Sequence, residues 1–355
     1  MHPPGAKATY APVTQSFNQP PLSLTALGWS AFFGDQLEPD ETGFARLRIA
    51  TVHRSRLTAE SEAGPVRINL PIHANTTDFA VGDWVLADAE THMFRRRLER
   101  KALLQRRTEG ARTQQLIAAN VDTLFIVTSC NDDFNPARLE RYLALANEAG
   151  TNSVIVLTKV DQVADAARYQ QEAAALQRGL TVVTLNAKAP DAATVLAPWC
   201  GLGQTVALVG SSGVGKSTLL NTLAAKSRED AQPTGGIREG DAKGRHTTTS
   251  RSLHAIAGGG WVIDTPGMRT LHVSDVAAGL ETLFAEITEL APHCRFRDCT
   301  HAHEPGCAVQ AAIRAGTLDP ARLDRWRKLL KENHTNTPVQ SGPRGNKILG
   351  RRKRR

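Results

Sequence analysis

No run of apolar residues in this chain approaches the roughly 20 needed to cross a bilayer as a helix. The opening residues, MHPPGAKATYAP, lack the basic start and apolar stretch of a secretory signal. Cysteine is scarce: five in 355 residues, at 130, 200, 294, 299 and 307, with three crowded into 14 residues. A disulfide framework would be even in number and more evenly spread, so the pattern argues against a secreted, bridge-stapled chain. Together these absences predict a soluble protein of a reducing cytoplasm with no membrane partner.

What is present is an ordinary core and a surplus of positive charge. Hydrophobic residues make up 41% of the chain, enough for packed cores, and 355 residues allow two or three domains. Lys and Arg number 43 against 35 Asp and Glu, a net charge of +8. That balance favours a polyanionic partner, nucleic acid ahead of an acidic membrane surface.

Five regions follow from composition and periodicity. Residues 1–38, rich in Pro, Ser, Thr, Asn and Gln, are expected to form a disordered arm, and residues 336–355 a basic tail ending Arg351-Arg352-Lys353-Arg354-Arg355. Between 40 and 110 short alternating runs, Ala45-Arg46-Leu47-Arg48-Ile49, Val66-Arg67-Ile68-Asn69-Leu70 and Trp84-Val85-Leu86-Ala87, predict a small β-barrel, OB-fold-like or SH3-like. Arg95, Arg96, Arg97, Arg100, Lys101, Arg106 and Arg107 make its end strongly basic and, with the tail, are expected to meet phosphates. Residues 115–285 alternate strands with helices, as in a doubly wound α/β domain. Its strands read as apolar runs buried on both faces, such as Leu124-Phe125-Ile126-Val127 and Val154-Ile155-Val156-Leu157. Asn135, Pro136 and Gly150 punctuate a helix with Leu139, Tyr142, Leu143 and Ala146 on one face. In residues 286–335, Asp319 and Pro320 open a helix carrying Leu323, Trp326 and Leu330 on one face.

The strongest chemical signal is Gly210-Ser211-Ser212-Gly213-Val214-Gly215-Lys216-Ser217-Thr218, a G-x-x-x-x-G-K-[ST] pattern between an apolar strand and a helix. Its glycines let backbone N–H groups converge on phosphate oxygens at a helix amino terminus. Lys216 should reach the β- and γ-phosphates and Ser217 the Mg²⁺ ion. Asp264-Thr265-Pro266-Gly267 follows a second strand: Asp264 suits the Mg²⁺ shell, and the Gly267 N–H the γ-phosphate. Between them, Gly244-Arg245-His246-Thr247-Thr248-Thr249 reads as a loop in which Thr249 or Thr248 could complete the metal shell. Base choice falls to Thr158-Lys159-Val160-Asp161. The Asp161 carboxylate can accept guanine's ring N–H and exocyclic amine, which adenine lacks on that edge, while Lys159 lays its stem over the base. That placement opposes an ATPase.

These motifs resemble the guanine-nucleotide set of the Ras-like GTPases, except that the base motif precedes the phosphate loop. The order implies a circular permutation with the sheet retained. After it, Cys294, Cys299, His301 and Cys307 form C-x₄-C-x-H-x₅-C, a donor set suited to one tetrahedral, structural Zn²⁺, with His293 and His303 as the less well spaced alternatives. Cys130 and Cys200 read as packing residues.

A β-barrel, a permuted GTPase domain and this cysteine–histidine module, in that order, resemble the small-ribosomal-subunit biogenesis GTPases (the RsgA, or YjeQ, family) over about residues 40–335. Ala119-Asn120-Val121-Asp122 and Asp264 to Arg269 add to the match. The resemblance implies an α/β, circularly permuted P-loop GTPase domain, preceded by an OB-fold and followed by a zinc-binding helical domain. It also implies GTP hydrolysis that is slow alone and stimulated by the small ribosomal subunit, in late maturation of that subunit. The chain is expected to act as a monomer, with rRNA and assembly factors as partners. A nucleotide-gated RNA-binding module with negligible turnover is the alternative. Two departures stand out: Thr158 replaces the Asn that often begins the base motif, and the later base loop, commonly Ser-Ala, is Asn186-Ala187. In Ras the residue after Asp-x-x-Gly is a glutamine that orients water; here it is Met268. His246 is therefore the candidate for positioning water.

Overall fold

The computed structural model describes residues 22–107, 113–224, 251–265 and 273–338. A short helix α1 (Ala31–Gly34) precedes five strands, β1 (Ala45–Val52), β2 (Leu57–Ser61), β3 (Gly64–Ile68), β4 (Trp84–Ala87) and β5 (Phe94–Arg97). β1 pairs antiparallel with both β2 and β4, β2 with β3, and β4 with β5. A parallel bridge, Asn69 with Met93, then brings the end of β3 to the start of β5. The path closes on itself as β1-β2-β3-β5-β4, consistent with an OB-fold-like barrel. Leu47, Ile49, Leu57, Ala59, Ile68, Val85 and Ala87 fill its interior.

All four residues of β4 are buried because both its faces are covered. Val85 and Ala87 point into the barrel, while Trp84 and Leu86 meet Leu27, Phe33 and Ile117 outside it. This corrects the expectation of a disordered arm to residue 38. From residue 22 the chain is packed, with Leu27 fully buried, Phe33 nearly so, and the Trp29 ring edge-on to Trp84 at 4.9 Å. Leu27, Trp29 and Phe33 cover an apolar face of β4 that water would otherwise meet. Averaged over a long polar segment, they were diluted out. Residues 1–21 and 339–355, which hold the rest of the arm and nearly all of the basic tail, lie outside the described residues.

A hairpin of β6 (Leu103–Arg106) and β7 (Gln115–Ala119) leads into the α/β domain. There β8 (Thr123–Ser129), α2 (Pro136–Ala149), β9 (Asn152–Thr158), α3 (Ala166–Ala174), β10 (Thr181–Thr184), α4 (Ala192–Leu196), β11 (Thr205–Val209) and α5 (Lys216–Leu223) follow in turn. Then come β12 (Ser252–Ala255), β13 (Trp261–Asp264), α6 (Ala277–Leu283) and α7 (Ala285–Thr288). The sheet order is β10-β9-β8-β11-β13-β12, parallel except for the antiparallel edge strand β12. β12 also meets β1 at Thr51 and Ser252, so barrel and sheet are continuous. α2 keeps its expected punctuation: the Asn135 side chain accepts from the Arg138 N–H, and Gly150 is left-handed at φ 71°.

The carboxyl-terminal module holds α8 (Ala308–Arg314) and α9 (Pro320–Asn336). On α9 the chain buries Leu323 and Leu329, leaving Trp326 and Leu330 partly covered. The buried Arg322 of α9 anchors the module. Its guanidinium donates to Glu140 of α2 at 2.6 Å, to Glu286 at 2.6 Å, and to the carbonyls of Leu176 and Leu283. It also lies 4.0 Å from the centre of the Phe284 ring. Glu140 is fully buried, and Arg325 is its second cation at 2.8 Å.

Removing one partner of such a pair strands a desolvated charge. Arg322→Met is expected to lower stability by roughly 3–5 kcal/mol. Chemical denaturation followed by tryptophan fluorescence checks this, and an unmoved midpoint would show that the module docks without the arginine.

Candidate functional site

Three loops converge at the carboxyl ends of β9, β10 and β11. The first begins at Gly210, at φ 139°, where a Cβ would stand 2.1 Å from the Val127 carbonyl oxygen of β8. Only glycine permits that approach. Gly213 and Gly215 are also at positive φ, 79° and 101°, and curl the loop into the first turn of α5. Lys216 opens that helix and lays its ammonium on the loop's own carbonyls, donating to Gly210 at 2.9 Å and to Ser211. Ser217 and Thr218 sit beside it in the first turn, half-buried.

The second loop carries the base motif. The Thr158 hydroxyl is fully buried and donates to the Val214 carbonyl at 2.6 Å, with the Thr128 carbonyl at 3.2 Å. It therefore fastens the base motif to the phosphate loop. Lys159 adopts a left-handed backbone at φ 57°, and Val160 and Asp161 enter a single 3-10 turn that leaves Asp161 exposed. The third loop holds Ala187, nearly buried. The Asn186 carboxamide oxygen accepts from the Lys188 N–H at 2.9 Å, within its own turn. A Cβ on Gly215 would lie 3.7 Å from both Thr158 and Ala187, a measure of how closely the loops meet. Thr222 of α5 adds a bond to the Ala187 carbonyl at 3.3 Å.

Asp264 ends β13 directly across from Leu208, beside the phosphate loop. The Thr265 hydroxyl ties it there through the Leu208 carbonyl at 2.5 Å. His246, Thr248, Thr249, Gly267 and Met268 lie outside the described residues.

Part of the basic segment is engaged by carboxylates of the protein itself. Arg96 forks onto Glu41 with both bonds at 2.5 Å, holding that carboxyl down at about 2, mainly through the guanidinium hydrogen bond. Arg100 grips the fully buried Asp83 at 2.6 Å, Arg107 meets Asp275 at 2.9 Å, and Lys101 meets Asp122 at 3.1 Å. These cations neutralise the protein's own carboxylates. The reading from sequence also missed the work of Ala119-Asn120-Val121-Asp122. Asn120 joins the Lys101 N–H and the Gly82 carbonyl, and Asp122 accepts from the Thr205 N–H at 2.9 Å. Polar residues flanking a buried strand were the available signal.

In the carboxyl-terminal module Cys294, Cys299, His301 and Cys307 bring four donor atoms within 4.8 Å of one another. The Cys294 and Cys307 sulfurs are 3.8 Å apart, and each lies 3.5 Å from Nδ1 of His301. A tetrahedral ion bonded at about 2.3 Å to sulfur and about 2.0 Å to nitrogen requires edges of roughly 3.8 and 3.5 Å. The donor set therefore fits a metal. Backbone N–H groups of Ala308 and Gln310 point at the Cys294 and Cys307 sulfurs at 3.4 Å, and Gln310 and Arg327 hold the His301 carbonyl. Glu304 accepts from Thr300, Ala302 and His303 and fixes the loop.

A glycine-rich loop on a parallel strand, with a base motif encoded before it, defines a circularly permuted P-loop GTPase fold. The family model described as RsgA GTPase matches residues 97–274. The small ribosomal subunit biogenesis GTPase RsgA of Mesorhizobium japonicum is 66% identical over 97% of this chain and all of its own length. The RsgA 2 protein of Vibrio vulnificus is 51% identical over 89% of each chain. The crystal structure of YjeQ from Thermotoga maritima superposes with a TM-score of 0.60 at 26% identity, over 81% of this chain and 98% of that one. The circularly permuted GTPase YloQ, at 24% identity and a TM-score of 0.59, shares the fold. This chain belongs to the RsgA (YjeQ) family of small-ribosomal-subunit biogenesis GTPases.

Removing a ligand from a closed metal site gives up folding energy. Cys299→Ala should lose the bound metal and loosen residues 286–335, leaving nucleotide affinity largely intact. Metal analysis of the purified variant checks this, and an unchanged metal content would displace Cys299 from the ligand set.

Proposed function

We propose that this chain binds GTP across the three converging loops and hydrolyses it, slowly alone and faster on the small ribosomal subunit, as a step in that subunit's late maturation. The observation that carries this reading is the convergence of the base motif, Ala187 and the phosphate loop beside Asp264. Loop N–H groups from Gly210, Ser211, Ser212, Gly213, Val214 and Gly215 would cradle the phosphates, and Lys216 would leave its loop carbonyls for the β- and γ-oxygens. Asp161 would accept guanine's two donors, with Lys159 along the base face. Ser217, Asp264 and Thr248 or Thr249 would hold Mg²⁺, whose charge would offset that of the phosphates. Gly267 would offer its N–H to the γ-phosphate, and Thr158 keeps the base and phosphate halves in register.

The cysteine–histidine cluster would hold one structural Zn²⁺; four protein ligands leave no open position for chemistry. Its loop offers a surface for rRNA. Phe296 is 41% exposed, the Arg295 guanidinium lies 5.6 Å from its ring centre, and Arg297 is exposed beside it. An aromatic face between two cations suits a stacked, unpaired base and its phosphates. With Arg96, Arg100 and Arg107 paired to carboxylates, this knuckle and the terminal Arg/Lys run are the better phosphate ligands. Function in the cytoplasm as a monomer, alongside other assembly factors, completes the reading.

Asp161→Asn turns one acceptor into a donor. Its affinity for GTP should fall roughly 10- to 100-fold, with preference shifting towards xanthosine triphosphate. Competition binding checks this, and an unaltered preference would remove Asp161 from the base site. Water positioning falls to His246, because the Met268 thioether orients water poorly. His246→Ala should keep GTP and subunit binding but lose about 100-fold or more of stimulated turnover. Full stimulated turnover in that variant would pass the role to the ribosome or the backbone.

A further inference from the structure

Between the β6–β7 hairpin and the last turns of α2 lies a cavity of about 310 Å³, apart from the three loops of the proposed GTP site. α2 follows the carboxyl end of β8 and finishes at Ala149, just before β9 begins at Asn152. Its last turn therefore lies at the amino-terminal edge of the parallel strands, opposite the phosphate loop. The hairpin contributes Leu103 to one wall, and α2 contributes Leu145 and Ala149 to the other. Ser274 closes the inner end beside Val276, and both are buried. Ser274 is only 8% exposed, and its hydroxyl has no hydrogen-bond partner among the described residues. Unlike the unbonded Thr128 and Thr151 hydroxyls, which are sealed in the interior, it is reached from the cavity. Buried hydroxyls are nearly always bonded, so one left open towards a cavity marks a place for a ligand.

The rim of the cavity carries both signs of charge. The Lys101 side chain is 57% exposed, with its ammonium 3.1 Å from Asp122. So exposed a pair is weak, and the ammonium has two further protons to donate. Glu148 is exposed at the same rim. Its Oε2 accepts from the Gly279 N–H at 2.8 Å, and Oε1 has no hydrogen-bond partner among the described residues. A plain anion would meet Glu148, and a plain cation would meet Lys101. A ligand with an amine at one end, an anion at the other and an apolar ring between them satisfies both and fills the walls. Small-molecule sites run from about 300 to 1,000 Å³, so this cavity takes one ring system with its substituents. We infer that it is a second nucleotide site, for a nucleoside monophosphate whose base carries an exocyclic amine, either free or as an unpaired residue of RNA. The base lies between Leu103 and Leu145, Glu148 accepts from the amine, Ser274 bonds the inner edge of the base, and Lys101 holds the phosphate.

The test uses the full-length, metal-loaded protein and azidoadenosine monophosphate as a photolabel. Label should map to residues 101–105, 145–149 or 274–276. AMP should compete for it, and IMP, which has a carbonyl in place of the amine, should compete about tenfold less well. Ser274→Ala should weaken labelling about three- to tenfold, the effect of one hydrogen bond. Ala149→Phe, which fills the cavity without removing a hydrogen bond, should abolish it, and both variants should melt near the wild-type temperature. Single-stranded tetraadenylate as competitor separates the two sources. Displacement at lower concentration than AMP assigns the site to an RNA chain, and displacement by AMP alone assigns it to a free nucleotide. Label confined to residues 158–161 or 210–218 would place the probe in the phosphate-loop site and overturn the inference. No label, equal competition by IMP, or full labelling of a folded Ala149→Phe would do the same. If Ala149→Phe melts early, Ser274→Ala decides, and undiminished labelling there overturns the site.

Discussion

Backbone meets backbone where the Gly210 loop leaves β11, and the rest of the site depends on that contact. No side chain fits between Gly210 and the Val127 carbonyl, so the start of the loop can lie against the neighbouring strand. The sheet order makes this possible by placing β11 beside β8. The next strand along, β9, then brings Thr158 under the same loop, where a buried hydroxyl bonds the Val214 carbonyl. Hydroxyl and carboxamide are not equivalent at that position. Thr158 can donate only one proton, and it spends it on the loop. Beyond the sheet pairing of β9, β8 and β11, the base and phosphate halves are thus tied by a short bond in a site shielded from water, where such a bond is strongest.

Permutation gives this domain a different mechanical problem from its unpermuted counterparts. The domain's first and last strands no longer end in free loops; they continue into a barrel and a metal module. Each flanking unit is fastened by a buried arginine. Arg48 of β1 donates to the Leu27 carbonyl at 2.6 Å and to the Thr205 hydroxyl at the start of β11 at 2.5 Å. Burial pulls its pKa down to about 10, against the opposing pull of Asp122, so it stays charged at neutral pH. Arg322 does the equivalent for α9 with Glu140 and Glu286. Taking such ions out of water is costly, and well-packed apolar groups often stabilise as much. What the arginines add is direction: a fork of fixed donors accepts one arrangement of partners.

Much of this was legible in the sequence, and the boundary has a physical cause. Strands β8, β9 and β11 are covered on both faces and read as unbroken apolar runs. Asn135, Pro136 and Asp319 mark helix starts by local chemistry, since a cap bonds only a few residues away. The phosphate loop and the four metal donors were legible because their geometry is set within a few residues. The long-range pairs were not. Arg96 finds Glu41 across 55 positions, Arg107 finds Asp275 across 168, and Arg322 finds Glu140 across 182. A run of arginines looks the same in sequence whether it faces water or buried carboxylates. Composition misled in the opposite direction for residues 22–38, where a few large apolar side chains outweigh many polar neighbours.

That redistribution of charge bears on where a polyanion would meet the surface. Paired cations and carboxylates cancel, so the surplus of +8 lies on cations beyond them. It supplies a long-range field that draws a polyanion in without selecting where it binds. Selection needs a shaped contact, such as the Arg295–Phe296 pair with Arg297 exposed beside it would offer. The helix that carries Trp326 and Arg327 against this loop ends, at Asn333 and Thr337, on the backbone N–H groups of Val276 and Asp275. One helix therefore joins the loop that would meet RNA to the main chain at residues 273–276.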